Sequence, residues 1–241
     1  MGTRVVLVGP GRLGRSMAMA LRARGVQVEL VGRGQVVPPA PLTWLTVPDR
    51  AIAAAAAAVP PGGVVLHASG AQDHRALRPH RPAGSLHPLM TFPGPELSMP
   101  DLTGLPAAVA GDAQAVVAAT ELAHLLGMAP FPVPGDRRLY HAAAVVAGNY
   151  STVLLAVAAE LLAASGVPAD QAPALLLPLA RASLENAARV GPAQALTGPV
   201  VRGDEEVLAA HRAAMEERLP GELPVYEALL LRARALAATR R

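Results

Sequence analysis

Gly9, Gly11 and Gly14 stand between an apolar run over residues 3–8 and a helical pattern over 12–24 that stops at Gly25. This spacing constrains the fold more than any other feature. A glycine directly after a strand permits a tight turn, and the last glycine lets the helix pack closely on that strand. A second apolar run follows over 26–31. Two strands joined by a helix form a βαβ unit, which needs a parallel sheet with helices on its faces.

The alternation continues. Residues 42–47 read as a strand closed by Pro48-Asp49, and 51–58 as a helix broken at Pro60-Pro61-Gly62-Gly63. Its run of alanine is low in complexity and is read as coding bias. Further strands are predicted over 64–68, 105–110 and 128–133, with a helix over 113–126. After Pro134-Gly135 only helical patterns remain, over 137–165, 169–190, 204–219 and 224–239. Pro173 and Pro178 interrupt the second of these. The expected architecture is α/β: an N-terminal doubly wound Rossmann sheet over 1–135 and an all-α C-terminal domain over 136–241.

Composition narrows the chemistry. With 241 residues, 52% hydrophobic and a formal charge of +3, the chain buries a sizeable core and is not disordered. All 21 basic residues are arginine, which excludes a lysine Schiff base, and the absence of cysteine excludes thiol catalysis and disulfides. The arginines are scattered, and two Phe, three Tyr and one Trp offer little for base stacking, so no nucleic-acid role is expected. Residues 142–164 are apolar but carry Asn149, Tyr150, Ser151, Thr152 and Glu160, costly in lipid. They read as a buried or dimer-interface helix, not a membrane span. Met1 leads into the first strand with no signal-peptide layout, and a cytoplasmic protein is expected.

The turn Gly9-Pro10-Gly11-Arg12-Leu13-Gly14 suits a dinucleotide. Gly11 lets backbone approach a pyrophosphate, and the following helix offers its N-terminal amides. The alternative is a glycine turn without a ligand. An NAD site places an acidic residue about 20 positions on, at the end of the second strand. Here that end is Gly32-Arg33-Gly34, and Glu29 lies too early. Arg33 suits a 2′-phosphate, so NADP is preferred over NAD; the alternative is a solvated loop arginine. Val47, Pro48, Ser69 and Gly70 end neighbouring strands, where such sheets bind ligands, and complete the expected cofactor wall.

Candidates for the chemistry lie at the same edge. His87 precedes Pro88 in a glycine-flanked segment held extended, and can donate to a substrate oxygen or act as acid and base. It can equally tie down a loop. Ser69 ends a strand beside it. On the first helix of the second domain, Arg137, His141 and Asn149 offer a cation, an imidazole and an amide to a carboxylate-bearing substrate. On one continuous helix His141 and Asn149 would lie about 80° and about 12 Å apart. An internal polar network is the alternative for Asn149. Arg202 can reach a substrate carboxylate or serve a turn, and Asp204 can cap the next helix. His67, His74, His80, His124 and His211 show no site logic, and no metal is expected.

These segments together resemble bacterial Rossmann-like proteins whose C-terminal half is a domain of unknown function, family 2520. The resemblance rests on Val8 through Gly14, Val47-Pro48-Asp49, Ser69-Gly70-Ala71, Gly84 through Leu89, Tyr140-His141-Ala142-Ala143, Asn149, Leu196-Thr197-Gly198-Pro199 and Arg202-Gly203-Asp204. It implies membership of the wider 6-phosphogluconate dehydrogenase-like superfamily, with a substrate cleft and a helical domain that dimerises. Prephenate dehydrogenases carry a similar His-Pro segment, which implies a substrate-oxygen contact for His87 after the Ser69 loop. Ketopantoate reductases carry polar residues matched in position by His141 and Asn149. Family members often have lysine near Arg137, so a proton-transfer role there is not expected. Proximity to pantothenate genes in the family makes ketopantoate the first substrate to test.

The expectation is an NADP-dependent oxidoreductase acting on a small keto acid or hydroxy acid, homodimeric through its C-terminal helices. The rivals are a cyclohexadienyl or imine dehydrogenase and a non-catalytic NADP-binding regulatory protein.

Overall fold

The computed structural model describes residues 4–240. Thr3, where the first strand was expected to begin, lies outside them. Strand β1 (Arg4–Val8) leads through the glycine turn into α1 (Arg12–Arg22), followed by β2 (Gln27–Val31) and β3 (Leu42–Leu45). A 3-10 turn (Asp49–Ala51) opens α2 (Ile52–Ala57). Then come β4 (Val64–His67), β5 (Ala83–Pro88), β6 (Pro106–Gly111), α3 (Ala113–Leu125), β7 (Ala129–Pro132) and α4 (Arg137–Ala147).

The seven strands form one sheet in the order β2-β1-β3-β4-β5-β6-β7. All pairs are parallel except β5 with β6. The order reverses between β1 and β3, and open sheets of this kind bind ligands beyond the carboxyl ends of strands at such a reversal. β1 is buried on both faces because its side chains alternate. Val5 and Leu7 join Trp44, Leu66, Met17 and Ala119 on the α1 and α3 side. Val6 and Val8 join Leu45, Val65, Ile52 and Ala56 on the α2 side. A period of two on a sheet covered on both faces explains the unbroken apolar run.

β5 is the element the sequence pattern does not reveal. Gly84, Ser85, His87 and Pro88 are poor strand formers, yet the segment pairs with β4 and β6 on either side. Tertiary packing explains the glycine: a Cβ on Gly84 would stand 2.8 Å from the Ala110 carbonyl oxygen and 2.9 Å from Ala115. The antiparallel β5–β6 pair also corrects a purely parallel reading.

By contact the chain divides between Gly148 and Asn149 into two compact units. The sequence reading set its boundary at 135/136, whereas α4 groups with the sheet. The second unit is helical throughout: α5 (Asn149–Ala164), α6 (Ala172–Val190), α7 (Pro192–Ala195), α8 (Pro199–Arg202), α9 (Glu205–Arg218) and α10 (Leu223–Ala237). Pro173 sits in the first turn of α6, where a missing amide hydrogen costs nothing, and Pro178 lies inside it. The expected single helix over 137–165 is two helices. The backbone leaves regular helix geometry at Gly148, with φ −97° and ψ −71°, so the rotation between His141 and Asn149 calculated for one helix does not apply. By length and composition residues 137–164 suffice to cross a membrane. Neither α4 nor α5 contains a buried residue, which corrects the expectation of a helix buried within the chain.

Candidate active site

The cradle at the carboxyl ends of β1, β2 and β3 is built around close backbone approach. Gly9 has φ +111°, and a Cβ there would lie 2.8 Å from Val47 and 2.9 Å from the Thr46 backbone. A Cβ on Gly14 would stand 2.0 Å from the Gly9 carbonyl oxygen. The Thr46 hydroxyl donates to that same oxygen at 2.8 Å, pinning the turn. Gly11 instead faces open space. It opens α1 with no side-chain cap and no acidic residue in the first turn. The first amides of α1 and the positive end of its dipole are therefore left for an anion.

Beside the turn lies a cavity of about 550 Å³. Gly9, Pro10 and Gly11 form one wall, Gly32, Arg33, Gly34 and Gln35 another, and Thr46, Val47 and Pro48 a third. The fourth wall is Ala51, Ala54, Ala55 and Ala58. That spacing is one face of α2 and its caps, while Ile52 and Ala56 on the opposite face enter the core. The alanine run thus clears space along the cavity. The Gln35 side chain accepts from the Gly32 amide and shapes the loop that presents Arg33, which is exposed. The volume falls within the range of cofactor pockets, about 300–1,000 Å³. The open Gly11, the uncapped helix end and this cavity fit a dinucleotide with its pyrophosphate on the turn.

A second cluster lies at the carboxyl ends of β4 and β5. His67 pairs in register with Ser85, which brings Ser69-Gly70 alongside His87. Arg137, Tyr140 and His141 occupy one face of α4. The Tyr140 hydroxyl lies 2.7 Å from Nδ1 of His87, with the two rings edge-on at 5.6 Å. The His141 ring centre is 6.3 Å from that of His87. Both imidazoles close over Gly70: a Cβ there would stand 2.8 Å from Cδ2 of His141 and 3.0 Å from Nε2 of His87. Only glycine leaves room for these rings.

Burial keeps His87 neutral. Burial, then the electrostatic effects of His141 and Arg137, lower its pKa to about 4, against a smaller opposing effect of Asp49. Burial raises the pKa of Tyr140, with Arg137 opposing. A neutral His87 whose Nδ1 accepts from Tyr140 carries its proton on Nε2, the atom that faces Gly70.

Ser69 has a different place from the one its position implied. Its hydroxyl donates to Asp49 at 2.8 Å and accepts from the amides of Ala71 and Gln72 at 3.2 and 2.9 Å. Its amide donates to Nδ1 of His67 at 3.2 Å, and its carbonyl accepts from Nη2 of Arg137 at 2.9 Å. The hydroxyl's one proton is committed, so Ser69 organises the loop under the histidines. Among the described residues, Nε and Nη1 of Arg137 are enclosed without a hydrogen-bond partner. Asp49, His67, Gln35, Thr46 and Tyr140 were not picked out from the sequence. Of these, Asp49 and Tyr140 stood inside quoted motifs, and only folding supplies their partners.

Asn149 and Arg202 belong to the second unit. Asn149 opens α5 and is exposed. Arg202 forms a forked pair with Asp204, Nε at 2.8 Å and Nη2 at 2.7 Å. Asp204 therefore makes no side-chain cap on α9, contrary to expectation; its carboxylate is drawn to the guanidinium two residues back.

Among curated proteins none matches the chain. The sequence profile of a family described as a domain of unknown function, DUF2520, matches residues 105–233. Among solved structures, a Bacteroides fragilis protein named as a candidate NADP oxidoreductase superposes with a TM-score of 0.81 at 22% identity, over 97% of this chain and 98% of that one. A reductive aminase from Aspergillus terreus, in complex with NADPH and ethyl-5-oxohexanoate, gives 0.70 at 18% identity over 98% and 95%. An imine reductase from the same organism, in complex with NADPH4 and dibenz[c,e]azepine, gives 0.64 at 19% over 99% and 95%. At these identities the likeness is one of fold.

Proposed function

The chain belongs to the DUF2520 family, and on that premise we propose that it is an NADP-dependent oxidoreductase that reduces the carbonyl of a small keto acid or oxidises the matching hydroxy acid. The observation that carries the reading is the His87–Tyr140 pair, 2.7 Å apart, with the His87 ring closed over Gly70 beside His141, on the same sheet edge as the dinucleotide cradle. Gly9 through Gly14 hold the pyrophosphate, and Val47, Pro48 and the alanine face of α2 border the adenosine half. Arg33 takes the 2′-phosphate. When bound, the nicotinamide supplies or accepts the hydride.

The chain's own residues manage the proton. In the direction of reduction, Nε2–H of His87 donates to the substrate oxygen as negative charge develops there. Nδ1 takes the Tyr140 proton in the same relay, and His87 ends neutral. A tyrosine above its usual pKa of about 10 is still more acidic than an alcohol, so the transfer runs downhill. Arg137 sets positive potential behind the site, which favours an oxyanion and a carboxylate-bearing substrate. His141 forms the neighbouring wall. Asp49, Ser69 and His67 fix the loop that carries Gly70.

A second reading, reduction of a C=N bond, is favoured by the likeness in fold to the reductive aminase and imine reductase. Arg137, whose guanidinium is anchored on the Ser69 carbonyl, argues against it, because a fixed cation repels a protonated imine. Both readings are tested by following nicotinamide absorbance with 2-keto acids, ketopantoate first, and with a cyclic imine, using NADPH and NADH in parallel. We expect turnover of a keto acid with NADPH. His87→Ala should lower kcat by about 10²–10⁴-fold and Tyr140→Phe should remove the alkaline limb of the pH profile, each leaving NADPH affinity unchanged. Failure to bind NADPH would overturn the proposal.

A further inference from the structure

The amino end of β5, on the sheet edge opposite the cradle, carries a second polar cavity of about 170 Å³. After β4 the chain passes through a 3-10 turn (His74–Leu77) and reaches β5 by way of Arg78, His80 and Arg81. These residues, with Arg75 and Asp112, line the cavity. Three exposed arginines share that lining with one carboxylate. That carboxylate is already engaged: Oδ2 of Asp112 accepts from the Ala83 amide at 3.0 Å, and Oδ1 lies 3.9 Å from Nε2 of His74. Asp73, alongside, lies 3.4 Å from Nδ1 of His74 and 3.8 Å from Nε of Arg75. Nε2 of His80 lies 2.8 Å from the Ala56 carbonyl, which can only accept, so that ring is oriented by its own donor. Among the described residues the side chains of Arg78 and Arg81 make no hydrogen bond or ion pair.

Like charges held around one hollow repel, and they are most stable with a counter-charge inside it. Guanidinium forks match tetrahedral oxyanions in geometry as well as charge. The cavity is below the size of a nucleotide pocket. We propose that it binds a single phosphate group, free or as the monoester end of a small metabolite. The site is separate from the dinucleotide cradle and independent of the oxidoreductase reading.

The test is calorimetric titration of inorganic phosphate, and separately of glycerol phosphate, into protein saturated with NADPH so that the glycine turn is occupied. Arg78→Ala/Arg81→Ala should weaken binding about 10–100-fold, the worth of one or two charge-assisted hydrogen bonds. Arg4→Ala, a surface arginine that lines neither cavity, should leave phosphate affinity at the wild-type value. Binding of the monoester alone assigns the site to a phosphorylated metabolite, and binding of both assigns it to phosphate itself. Thermal melting checks that the double variant folds, and Arg81→Gln serves in its place if it does not. Equal affinity in wild type and variant, or no binding by wild type at millimolar phosphate, would overturn the proposal. If NADPH fails to bind, the cradle reading fails separately, and the wild-type and variant comparison still reports on this cavity.

Discussion

At the scale of single residues, His87 stood out as a candidate because a glycine-flanked His-Pro segment is both extended and chemically equipped. Tyr140 was not, because its partner lies 53 positions away in sequence. Asp49 and Ser69, 20 positions apart, show the same limit. His67 looked unremarkable, yet it is fully buried behind the Ser69 amide. Burial, then Arg137, lowers its pKa to about 4, as burial chiefly does for His87. The unfolded chain binds a proton at each of these positions near pH 6.5, and the folded chain does not until near pH 4. Stability from both groups is therefore full above pH 6.5 and is lost as pH falls from 6.5 towards 4, by order 2–3 kcal/mol for each. Melting temperature followed across that window should drop, and His67→Gln should flatten the drop relative to wild type. An equal slope in both would refute this role for His67.

At the scale of elements, the glycine turn was legible in full, since a strand, three spaced glycines and a helix are local facts. The role of α2 was not. Its alanines carry no hydrophobic periodicity, because every face has the same side chain. Only packing separates the Ile52–Ala56 face, buried in the core, from the Ala51–Ala54–Ala55–Ala58 face on the cavity. The distinction is measurable. Ala54→Leu should fill the cavity and weaken NADPH binding at least about 10-fold, whereas Ala53→Leu, exposed and off the cavity, should not. Both should melt close to wild type, since leucine is a good helix former.

At the scale of the whole molecule, the second unit buries little of its own apolar surface. Ala172, Leu208, Met215 and Leu230 are its buried hydrophobic residues, while Leu179, Leu184 and Leu231 are 66%, 62% and 70% exposed. Large apolar side chains left exposed on helices in this number suit a protein interface. We propose a homodimer through the C-terminal helices. Sedimentation should give twice the chain mass of 24.6 kDa, and Leu179→Glu/Leu231→Glu should return it to the monomer. A monomeric wild type at micromolar concentration would refute the interface.

The sequence by itself determined the βαβ start, the glycine turn, the alternation of β1 and the change to helices after Pro134. Each depends on periodicity or turn chemistry within a few residues. It also determined what chemistry is excluded, through the absence of lysine and cysteine. Only the tertiary structure decided that the His87 segment is a strand, that α4 groups with the sheet, that Ser69 serves the loop and that Tyr140 serves His87. Those outcomes depend on pairings between distant positions, where burial and hydrogen bonding outweigh the local preferences that a sequence displays.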